Sequence, residues 1–358
     1  MRKFHDLTVR EVVEEAPDAV RIAFAVPPEL KDDYSYKQGQ HLTLRKEIDG
    51  ADLRRSYSIC TSVADNDLQV VVRHLPGGRF SGHVREQLKP GDSLAVFPPT
   101  GSFHVPLDPA HAKHYVAFAA GAGITPIMSI IKTTLETEPR SRVTLFYGNR
   151  TGETTIFRGA ISALKNRYMT RFAFYHFLSR QDQEIDVFNG RLDGAKTRDI
   201  LTRLLVPSQI DEVFLCGPDS MIEEVRAELE DAGVDPAHVH DERFTDQGQV
   251  GSDAARARPR PVGKVDGGEI RLLMDGTEHS IPYAPNMGTV LEAAEAAGLE
   301  APFSCRAGVC TTCRARVTDG EVEMDVNYGL EPEEVEQGFI LTCQAVPKTR
   351  KLVISFDE

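Results

Sequence analysis

The stretch SCRAGVCTTC, residues 304–313, holds three of the six cysteines of this 358-residue chain. Four residues separate Cys305 from Cys310, two separate Cys310 from Cys313, and 29 separate Cys313 from Cys343. Three cysteines on one tight loop, with a fourth from a distant strand, form the ligand pattern of a plant-type [2Fe-2S] site. The spacing therefore predicts that these four thiolates ligate a two-iron cluster.

The same thiols are also compatible with zinc or with no ligand at all. A structural zinc site usually takes its cysteines from two short Cys-x-x-Cys units, and Cys343 stands alone. Unliganded thiols packed in a core are the second alternative. The small residues Ala307 and Gly308 favour the cluster, because a loop around a cluster must turn sharply and direct backbone N–H groups at the sulfurs.

Residues 269–358 resemble a plant-type ferredoxin, with Ser304, Arg306 and Thr312 completing the cysteine loop and LTCQA carrying Cys343. The resemblance implies an α+β domain of the β-grasp-like type. This segment has 7 Lys/Arg and 16 Asp/Glu, a net charge of −9 out of −13 for the chain. The negative charge of this domain would attract a partner protein that carries a basic patch. An acidic surface that only contacts solvent would have the same composition.

The preceding residues divide into two further domains and a linker. Residues 1–107 contain short alternating stretches with turns between them, which predicts an antiparallel β-barrel. Residues 108–244 alternate apolar strands with helices, which predicts an α/β domain with a parallel sheet. Residues 245–268 have almost no large apolar side chains and are predicted to be an extended linker. The expected protein is thus multidomain.

In the barrel, the stretch RSYS resembles the Arg-x-Tyr-Ser motif of the ferredoxin–NADP reductase superfamily. The Tyr57 ring can stack on an isoalloxazine face, the Ser58 hydroxyl can hydrogen-bond near the flavin N5, and Arg55 can neutralise a pyrophosphate. Taken alone, the stretch is also compatible with an ordinary strand. The resemblance implies that Arg55, Ser56, Tyr57 and Ser58 bind FAD.

A second segment, VVRHLPGGRFSGHV, places Gly77, Gly78 and Ser81 ahead of a short predicted helix. The free N–H groups and the dipole at a helix start favour a phosphate. In the superfamily the matching positions bind FAD, and the resemblance carries this role to Val72, Arg73, His74, Gly78, Arg79, Phe80 and Ser81. His74 departs from the pattern, which more usually has Arg or Lys there.

The turn GAGITP follows an apolar strand and is shorter than the Gly-x-Gly-x-x-Gly turn of dinucleotide-binding folds. The superfamily uses this shorter turn, so the resemblance implies that Gly121 and Gly123 admit a nicotinamide nucleotide and that Thr125 faces the flavin. The resemblance also places the stretch CGPDSM in the nucleotide site, with Cys216 beside the reacting nicotinamide carbon. The residues that it assigns to this site are Cys216, Gly217, Pro218 and Met221. A buried strand-end thiol is the alternative for Cys216.

Three further residues complete the predicted binding set. Arg150 and Arg180 lie where an adenosine 2′-phosphate could be met, and a guanidinium binds phosphate bidentately, which favours NADPH over NADH. Exposed arginines that are merely solvated would give the same sequence pattern. Phe244 ends the second domain where relatives carry an aromatic group near the flavin, and a packing role explains it equally well.

The order of motifs implies an enzyme that passes electrons from NADPH through FAD to the [2Fe-2S] cluster, with Tyr57, Ser58 and Cys216 at the hydride-transfer site. The sequence has no Glu-x-x-His di-iron signature and no Cys/His set for a Rieske centre. We therefore expect the electrons to leave for another protein, an oxygenase component.

The stretches YGNRT, LSRQ, DVFNGRLD and CGPDSMIEEV are most similar to those of phenylacetyl-CoA epoxidase reductases. That resemblance implies a multisubunit di-iron partner. Reductases of Rieske ring-hydroxylating or steroid-hydroxylating oxygenases share the same order of domains. A non-catalytic electron carrier with a degenerate flavin site is an alternative of another class.

Charge and hydropathy exclude some partners. A net charge of −13 argues against a nucleic-acid partner, for which a basic patch is expected. The longest weakly polar run, YVAFAAGAGI, is shorter than the roughly 18 residues of a membrane span. The basic N-terminus is not followed by an apolar stretch, so we expect a cytoplasmic protein without a membrane anchor.

Overall fold

The computed structural model describes residues 2–244 and 265–357. Most of the predicted linker, residues 245–264, lies outside the described residues. The described chain forms an antiparallel sheet, then a parallel sheet, then a mixed sheet, which confirms the predicted fold class. None of the helices in these two ranges is long and apolar enough to cross a membrane.

The first domain contains six strands and one short helix. Their bounds are β1 His5–Ala16, β2 Ala19–Ala25, β3 His41–Ile48, β4 Ala51–Ser58, β5 Leu68–Arg73, α1 Arg79–Glu86 and β6 Ser93–Thr100. The strands are antiparallel in the order β4-β3-β6-β1-β2-β5. A bridge between Ile59 and Val70 joins the two ends of this sheet, so it curls into a barrel. Helix α1 begins before Ser81, which therefore lies in its first turn rather than ahead of it.

The second domain is a parallel sheet flanked by helices. Its elements are β7 His114–Ala120, α2 Ile124–Thr137, β8 Arg142–Asn149, α3 Arg158–Arg167, β9 Phe172–Leu178, α4 Gly194–Arg203, β10 Glu212–Gly217, α5 Asp219–Asp231 and β11 Val239–Arg243. The strand order is β11-β10-β7-β8-β9. All six residues of β10 are buried, as expected for an inner strand covered by helices on both faces. The carboxyl ends of these strands share one edge, which is where ligands of open α/β sheets bind.

The first two domains share one apolar core. Val71 and Phe103, from the barrel and the segment that follows it, pack with Tyr115 and Phe214 of the parallel sheet. The rings of Phe103 and Phe214 meet edge to face with centroids 5.4 Å apart. This shared core fixes the barrel relative to the parallel sheet.

The third domain is a mixed sheet with two short helices. Its elements are β12 Gly268–Met274, β13 Thr277–Tyr283, α6 Val290–Ala296, β14 Arg314–Asp319, β15 Val322–Met324, α7 Pro332–Glu336, β16 Phe339–Leu341, β17 Ala345–Pro347 and β18 Lys351–Ser355. The main sheet has the order β13-β12-β18-β14-β16, and β15 pairs with β17. Helix α6 starts with a capping box between Thr289 and Glu292, and Gly298, at φ +75°, follows its end.

Candidate active site

The cysteine loop turns sharply between α6 and β14. Arg306, Gly308 and Thr311 have positive φ values of 53°, 75° and 48°. A side chain at Gly308 would also collide with the neighbouring segment, because its Cβ would lie 2.8 Å from the Val326 carbonyl oxygen. The tight path predicted from the small residues is therefore required by both backbone conformation and space.

Backbone N–H groups point at the sulfurs of this loop. The N–H groups of Ala307 and Cys310 donate to Cys305 Sγ at 3.3 and 3.4 Å, and the Cys305 N–H donates to Cys310 Sγ at 3.3 Å. The Gln344 amide lies 3.5 Å from Cys343 Sγ and also donates to the Arg306 carbonyl at 3.0 Å. Such donors stabilise negative charge on sulfur, as ligated thiolates require.

The four thiols lie close enough to interact. The Cys305 thiol interacts most strongly with that of Cys310 and the Cys343 thiol with that of Cys313, and Cys343 also interacts with Cys305 and Cys310. Among residues 2–244 and 265–357, no group of three His, Cys, Asp or Glu side chains is arranged to hold a single metal ion. A two-iron cluster needs one cysteine pair for each iron, whereas a single zinc needs all its ligands to converge. The donor set therefore fits a [2Fe-2S] cluster better than zinc.

The cysteine loop packs against strands β3 and β4 of the barrel. Three hydrogen bonds join the two: His41 Nε2 to the Cys310 carbonyl oxygen at 2.8 Å, Thr43 Oγ1 to Thr312 Oγ1 at 2.9 Å, and Ser56 Oγ to Ser304 Oγ at 2.9 Å. Tertiary contacts thus bring the predicted FAD-binding strand close to the predicted cluster ligands.

A cavity lies at this junction, and its walls come from all three domains. Its lining includes Arg55, Ser56, Ser58, Glu242, Phe244, Phe303, Cys305 and Cys310. Burial lowers the pKa of Arg55, whose guanidinium donates to the Arg54 carbonyl at 2.7 Å. An anionic group such as a pyrophosphate would favour the charged guanidinium here, so Arg55 fits the predicted FAD role.

The aromatic part of the flavin motif lies beside α1. The rings of Tyr57 and Phe80 are tilted against each other with centroids 5.9 Å apart. Phe80 and Val72 are each 1% exposed, so their side chains belong to the barrel core and only their backbone could reach a cofactor. Gly78 has no room for a side chain, because a Cβ would lie 2.6 Å from Ser81 Oγ.

The charged residues of the second flavin segment have separate surroundings. Arg73 donates to Asp18 Oδ2 at 2.8 Å and faces the second domain, since a Cβ on Gly121 would lie 3.0 Å from its Nη1. Arg79 donates to the carbonyl oxygen of Ile48, and His74 Nδ1 lies 3.4 Å from an Arg85 nitrogen. Arg73 is therefore at the boundary between the two domains, whereas Arg79 and His74 contact only barrel residues in these bonds.

The glycine turn of the second domain approaches β10 closely. A Cβ on Gly123 would lie 2.0 Å from the Cys216 carbonyl oxygen, so only glycine allows this approach. Thr125 is 3% exposed, and its hydroxyl donates to the Ala122 carbonyl at 3.0 Å. Cys216 is fully buried, and burial raises its pKa. The thiol is thus a neutral group at the carboxyl edge of the sheet.

The remaining nucleotide candidates lie around the same edge. A Cβ on Gly217 would lie 2.6 Å from Met221 Cε, so the glycine makes room for this buried side chain, and Pro218 immediately precedes α5. Arg150 and Arg180 follow β8 and β9, where the Arg180 N–H donates to the Arg150 carbonyl at 2.9 Å. Both arginines are exposed and adjacent, as a shared phosphate contact would require.

Glu242 is a residue that the sequence analysis missed. The register of β10 and β11 pairs Cys216 with Glu242, and the Ser58 hydroxyl donates to Glu242 Oε2 at 3.1 Å. His41 Nδ1 is 3.8 Å from Glu242 Oε1. Burial raises the pKa of Glu242 to about 8, so the carboxyl is mostly protonated at neutral pH. In the sequence, the one feature that pointed to Glu242 was its place two residues before Phe244, a residue already assigned to the flavin site.

Comparisons with known proteins agree with this arrangement. Family models match in three consecutive blocks: an oxidoreductase FAD-binding domain at residues 6–105, an oxidoreductase NAD-binding domain at residues 118–227, and a 2Fe-2S iron-sulfur cluster binding domain at residues 272–348. A solved phthalate dioxygenase reductase has the same fold, with a TM-score of 0.56 and 23% identity over 99% of this chain and 98% of that one.

Two curated relatives match over nearly their whole length. One subunit of the 1,2-phenylacetyl-CoA epoxidase from Escherichia coli (strain K12) is 39% identical over 357 residues, which is 100% of this chain and 99% of that protein. The ferredoxin reductase component of 3-ketosteroid-9-alpha-monooxygenase from Rhodococcus rhodochrous is 35% identical over 98% of this chain and 96% of that protein. The chain therefore belongs to the ferredoxin–NADP reductase family, in the group with a C-terminal 2Fe-2S domain, and is an oxidoreductase that transfers electrons from NAD(P)H through FAD to a [2Fe-2S] cluster.

Proposed function

We propose that this chain is the reductase subunit of a phenylacetyl-CoA epoxidase and supplies electrons from NADPH to a multisubunit di-iron oxygenase. The observation that carries the proposal is the 39% identity with the Escherichia coli epoxidase protein over the full length of both chains. Bound FAD supplies the conversion of a two-electron hydride into single electrons, and the cluster carries those electrons one at a time.

The chain's own residues prepare the site for this transfer. Gly123 allows the nucleotide turn to approach the end of β10, and Gly217 accommodates Met221 there, while buried Cys216 would keep water away from the reacting carbon of a bound nicotinamide. Tyr57 would support a bound flavin ring, and the Ser58 hydroxyl, which donates to Glu242 Oε2, would lie near its N5 region. Arg55 and the start of α1 would neutralise the pyrophosphate of FAD.

Exposed Arg150 and Arg180 support NADPH as the electron donor. Their neighbouring positions at the carboxyl edge suit bidentate contact with a 2′-phosphate. Replacing Arg150 with Ala should raise KM for NADPH by about tenfold, consistent with the loss of one charged hydrogen bond. KM for NADH should stay within twofold of wild type, and equal rises for both nucleotides would refute the 2′-phosphate contact.

The partner can be tested by reconstitution. The purified chain, NADPH and phenylacetyl-CoA should give the ring epoxide under air only when the oxygenase subunits of a phenylacetyl-CoA epoxidase are added. A pull-down should recover a four-helix di-iron subunit. Absence of product with an oxygenase that is active with its own reductase would contradict the proposal.

A steroid-hydroxylating oxygenase is a second candidate partner, because the 3-ketosteroid-9-alpha-monooxygenase component is 35% identical over 98% of this chain. The same assay with a 3-ketosteroid and a Rieske oxygenase separates the two. A non-catalytic carrier would be recognised by the lack of flavin absorbance in the purified protein. The family assignment and the cavity lined by Arg55 and Ser58 argue against that alternative.

We also infer a cytoplasmic location. All six cysteines are free of disulfides, including the buried Cys60 outside the cysteine loop. Free thiols are typical of proteins from reducing compartments. Cell fractionation should find the NADPH-dependent dye-reducing activity with cytoplasmic markers, and recovery with periplasmic markers would contradict the inference.

A further inference from the structure

The side chain of Phe303 lies between two arginines from different domains. Its ring centroid is 3.8 Å from Cζ of Arg54, on barrel strand β4, and 4.0 Å from Cζ of Arg306, in the cysteine loop. Both distances are well within the roughly 6 Å over which an aromatic face attracts a cation. The stack connects the residue just before Arg55 with the segment that leads into Cys305.

Each arginine is held in place by a carboxylate of its own domain. Arg54 donates to Asp52 Oδ2 through Nε at 3.1 Å and Nη2 at 3.0 Å. Arg306 donates to both carboxylate oxygens of Glu295, with Nη1 at 2.9 Å from Oε2. Two-point contacts of this kind fix the plane of a guanidinium. Both planar groups are therefore oriented by their own domains and present a face to the ring.

The stack lies at the point where the flavin strand meets the cysteine loop. Arg54, Phe303 and Arg306 line the same cavity as Ser58 and Cys305. The side chain of Arg54 is only 9% exposed, and a cation–π contact is strongest where water is excluded. The hydroxyl contact between Ser56 and Ser304, at 2.9 Å, joins the same two segments beside the stack.

We propose that Phe303, clamped between Arg54 and Arg306, is a positioning residue that holds the cysteine loop against the flavin strand and thereby sets the rate of electron transfer from flavin to cluster. In each transfer one electron leaves the flavin and one arrives at the cluster, while Phe303 gains and loses none. The inference rests on the path from NAD(P)H through FAD to [2Fe-2S], and it is independent of which oxygenase follows.

Two substitutions at Phe303 test the ring itself. Phe303→Leu keeps apolar volume but removes the aromatic face, whereas Phe303→Tyr keeps the face. In anaerobic stopped-flow mixing of the FAD- and cluster-loaded protein with NADPH, Phe303→Leu should slow cluster reduction about tenfold, equivalent to about 1.4 kcal/mol. Flavin reduction should keep its wild-type rate, and Phe303→Tyr should restore cluster reduction to within twofold of wild type.

The chain offers a matched control. Phe339 also stacks with two arginines, 3.4 Å from Cζ of Arg314 and 5.7 Å from Cζ of Arg316, but all three belong to the third domain. Phe339→Leu should therefore leave cluster reduction at the wild-type rate. Arg54→Met removes the barrel side of the stack without changing the cysteine loop, and it should slow cluster reduction even if Phe303→Leu assembles less cluster.

Hydrogen exchange supplies a measurement that does not depend on turnover. In the oxidised protein without nucleotide, Phe303→Leu and Arg54→Met should increase exchange in residues 304–313 and in β4, and Phe339→Leu should not. Equal cluster-reduction rates and exchange in Phe303→Leu and Phe339→Leu would overturn the proposal, as would a Phe303→Tyr protein as slow as Phe303→Leu. Failure of the wild-type protein to reduce its own cluster with NADPH or NADH would instead refute the electron path.

Discussion

The substitution Gly123→Ala tests how closely the nucleotide turn must approach β10. Gly123 has φ −60° and ψ −11°, which any residue can adopt, so backbone conformation does not require glycine here. The constraint is space: an added Cβ would lie 2.0 Å from the Cys216 carbonyl oxygen and 2.5 Å from its carbonyl carbon. These are strand backbone atoms and cannot rotate away.

The size of the effect follows from this overlap. Ordinary van der Waals contact begins near 3.4 Å, so the turn must move away from β10 by about 1.4 Å, the difference between 3.4 and 2.0 Å. A displacement of about 1 Å at a reacting centre typically lowers the rate about 100-fold, and overpacking destabilises a core by about 1–3 kcal/mol. We therefore expect folded protein whose flavin is reduced by NADPH about 100 times more slowly.

The assay is anaerobic stopped-flow reduction of the flavin at saturating NADPH. Flavin content and the signal of the chemically reduced cluster should match wild type, which shows that the damage is confined to the nucleotide site. Gly159→Ala is the matched control in the same domain, because Gly159 lies in α3 with nothing within 4 Å of its added Cβ. It should keep the wild-type rate and gain about 0.5–1 kcal/mol of stability.

Flavin reduction in Gly123→Ala within threefold of wild type would refute the reasoning. Such a result would mean either that the turn does not contact the nicotinamide or that β10 can move without changing the rate of flavin reduction. A loss of rate as large in Gly159→Ala would also contradict it, because that site has no backbone neighbour to displace.

Three further substitutions probe the other parts of the electron path. Cys313→Ser should abolish electron delivery to the oxygenase while NADPH oxidation by a hydride-accepting dye continues, and loss of both in a folded, FAD-loaded protein would contradict separate sites. Cys216→Ala should slow flavin reduction by NADPH while the cluster stays intact. An unchanged rate of flavin reduction in stopped-flow mixing would show that the Cys216 thiol is not part of the nucleotide site. Burial raises the pKa of Glu242 to about 8, above its unfolded value of 4.5, so its contribution to folding is present below pH 4.5 and is lost as pH rises through 8. Because glutamine cannot ionise, the free energy of unfolding of the FAD-free wild-type protein should fall by about 1.4 kcal/mol per pH unit more than that of the Glu242→Gln protein between about pH 5.5 and 7. An equal pH dependence of the two unfolding free energies would refute the raised pKa.

Local patterns were enough to predict the fold and the cysteine ligands. Alternating strands indicate the barrel and strand-helix alternation indicates the parallel sheet, because hydrophobic periodicity follows directly from backbone geometry. The spacing around Cys305 predicts a cluster loop because ligand chemistry restricts which residues can stand there. The flavin and nucleotide roles rested on family resemblance, and the individual residue assignments remain predictions.

The contacts that join the domains had no comparable signal. His41 meets the Cys310 carbonyl 269 positions away, and Ser58 meets Glu242 184 positions away. Nothing in the neighbourhood of either residue in the sequence marks it as part of a contact between domains. The Arg54–Phe303 contact was missed for the same reason, since an arginine beside a flavin motif is ordinary in sequence terms.

By itself, the sequence determined that this protein carries a flavin-type barrel, a nucleotide-binding sheet and a four-cysteine loop. These features depend on residue type and short spacing, which one chain segment supplies alone. Only the tertiary structure decided that the cysteine loop packs on the flavin strand and that Glu242 pairs with Cys216 in the sheet while its carboxyl meets Ser58 and His41. Those relations arise from burial and from contacts between distant segments, which exist only once the whole chain has folded.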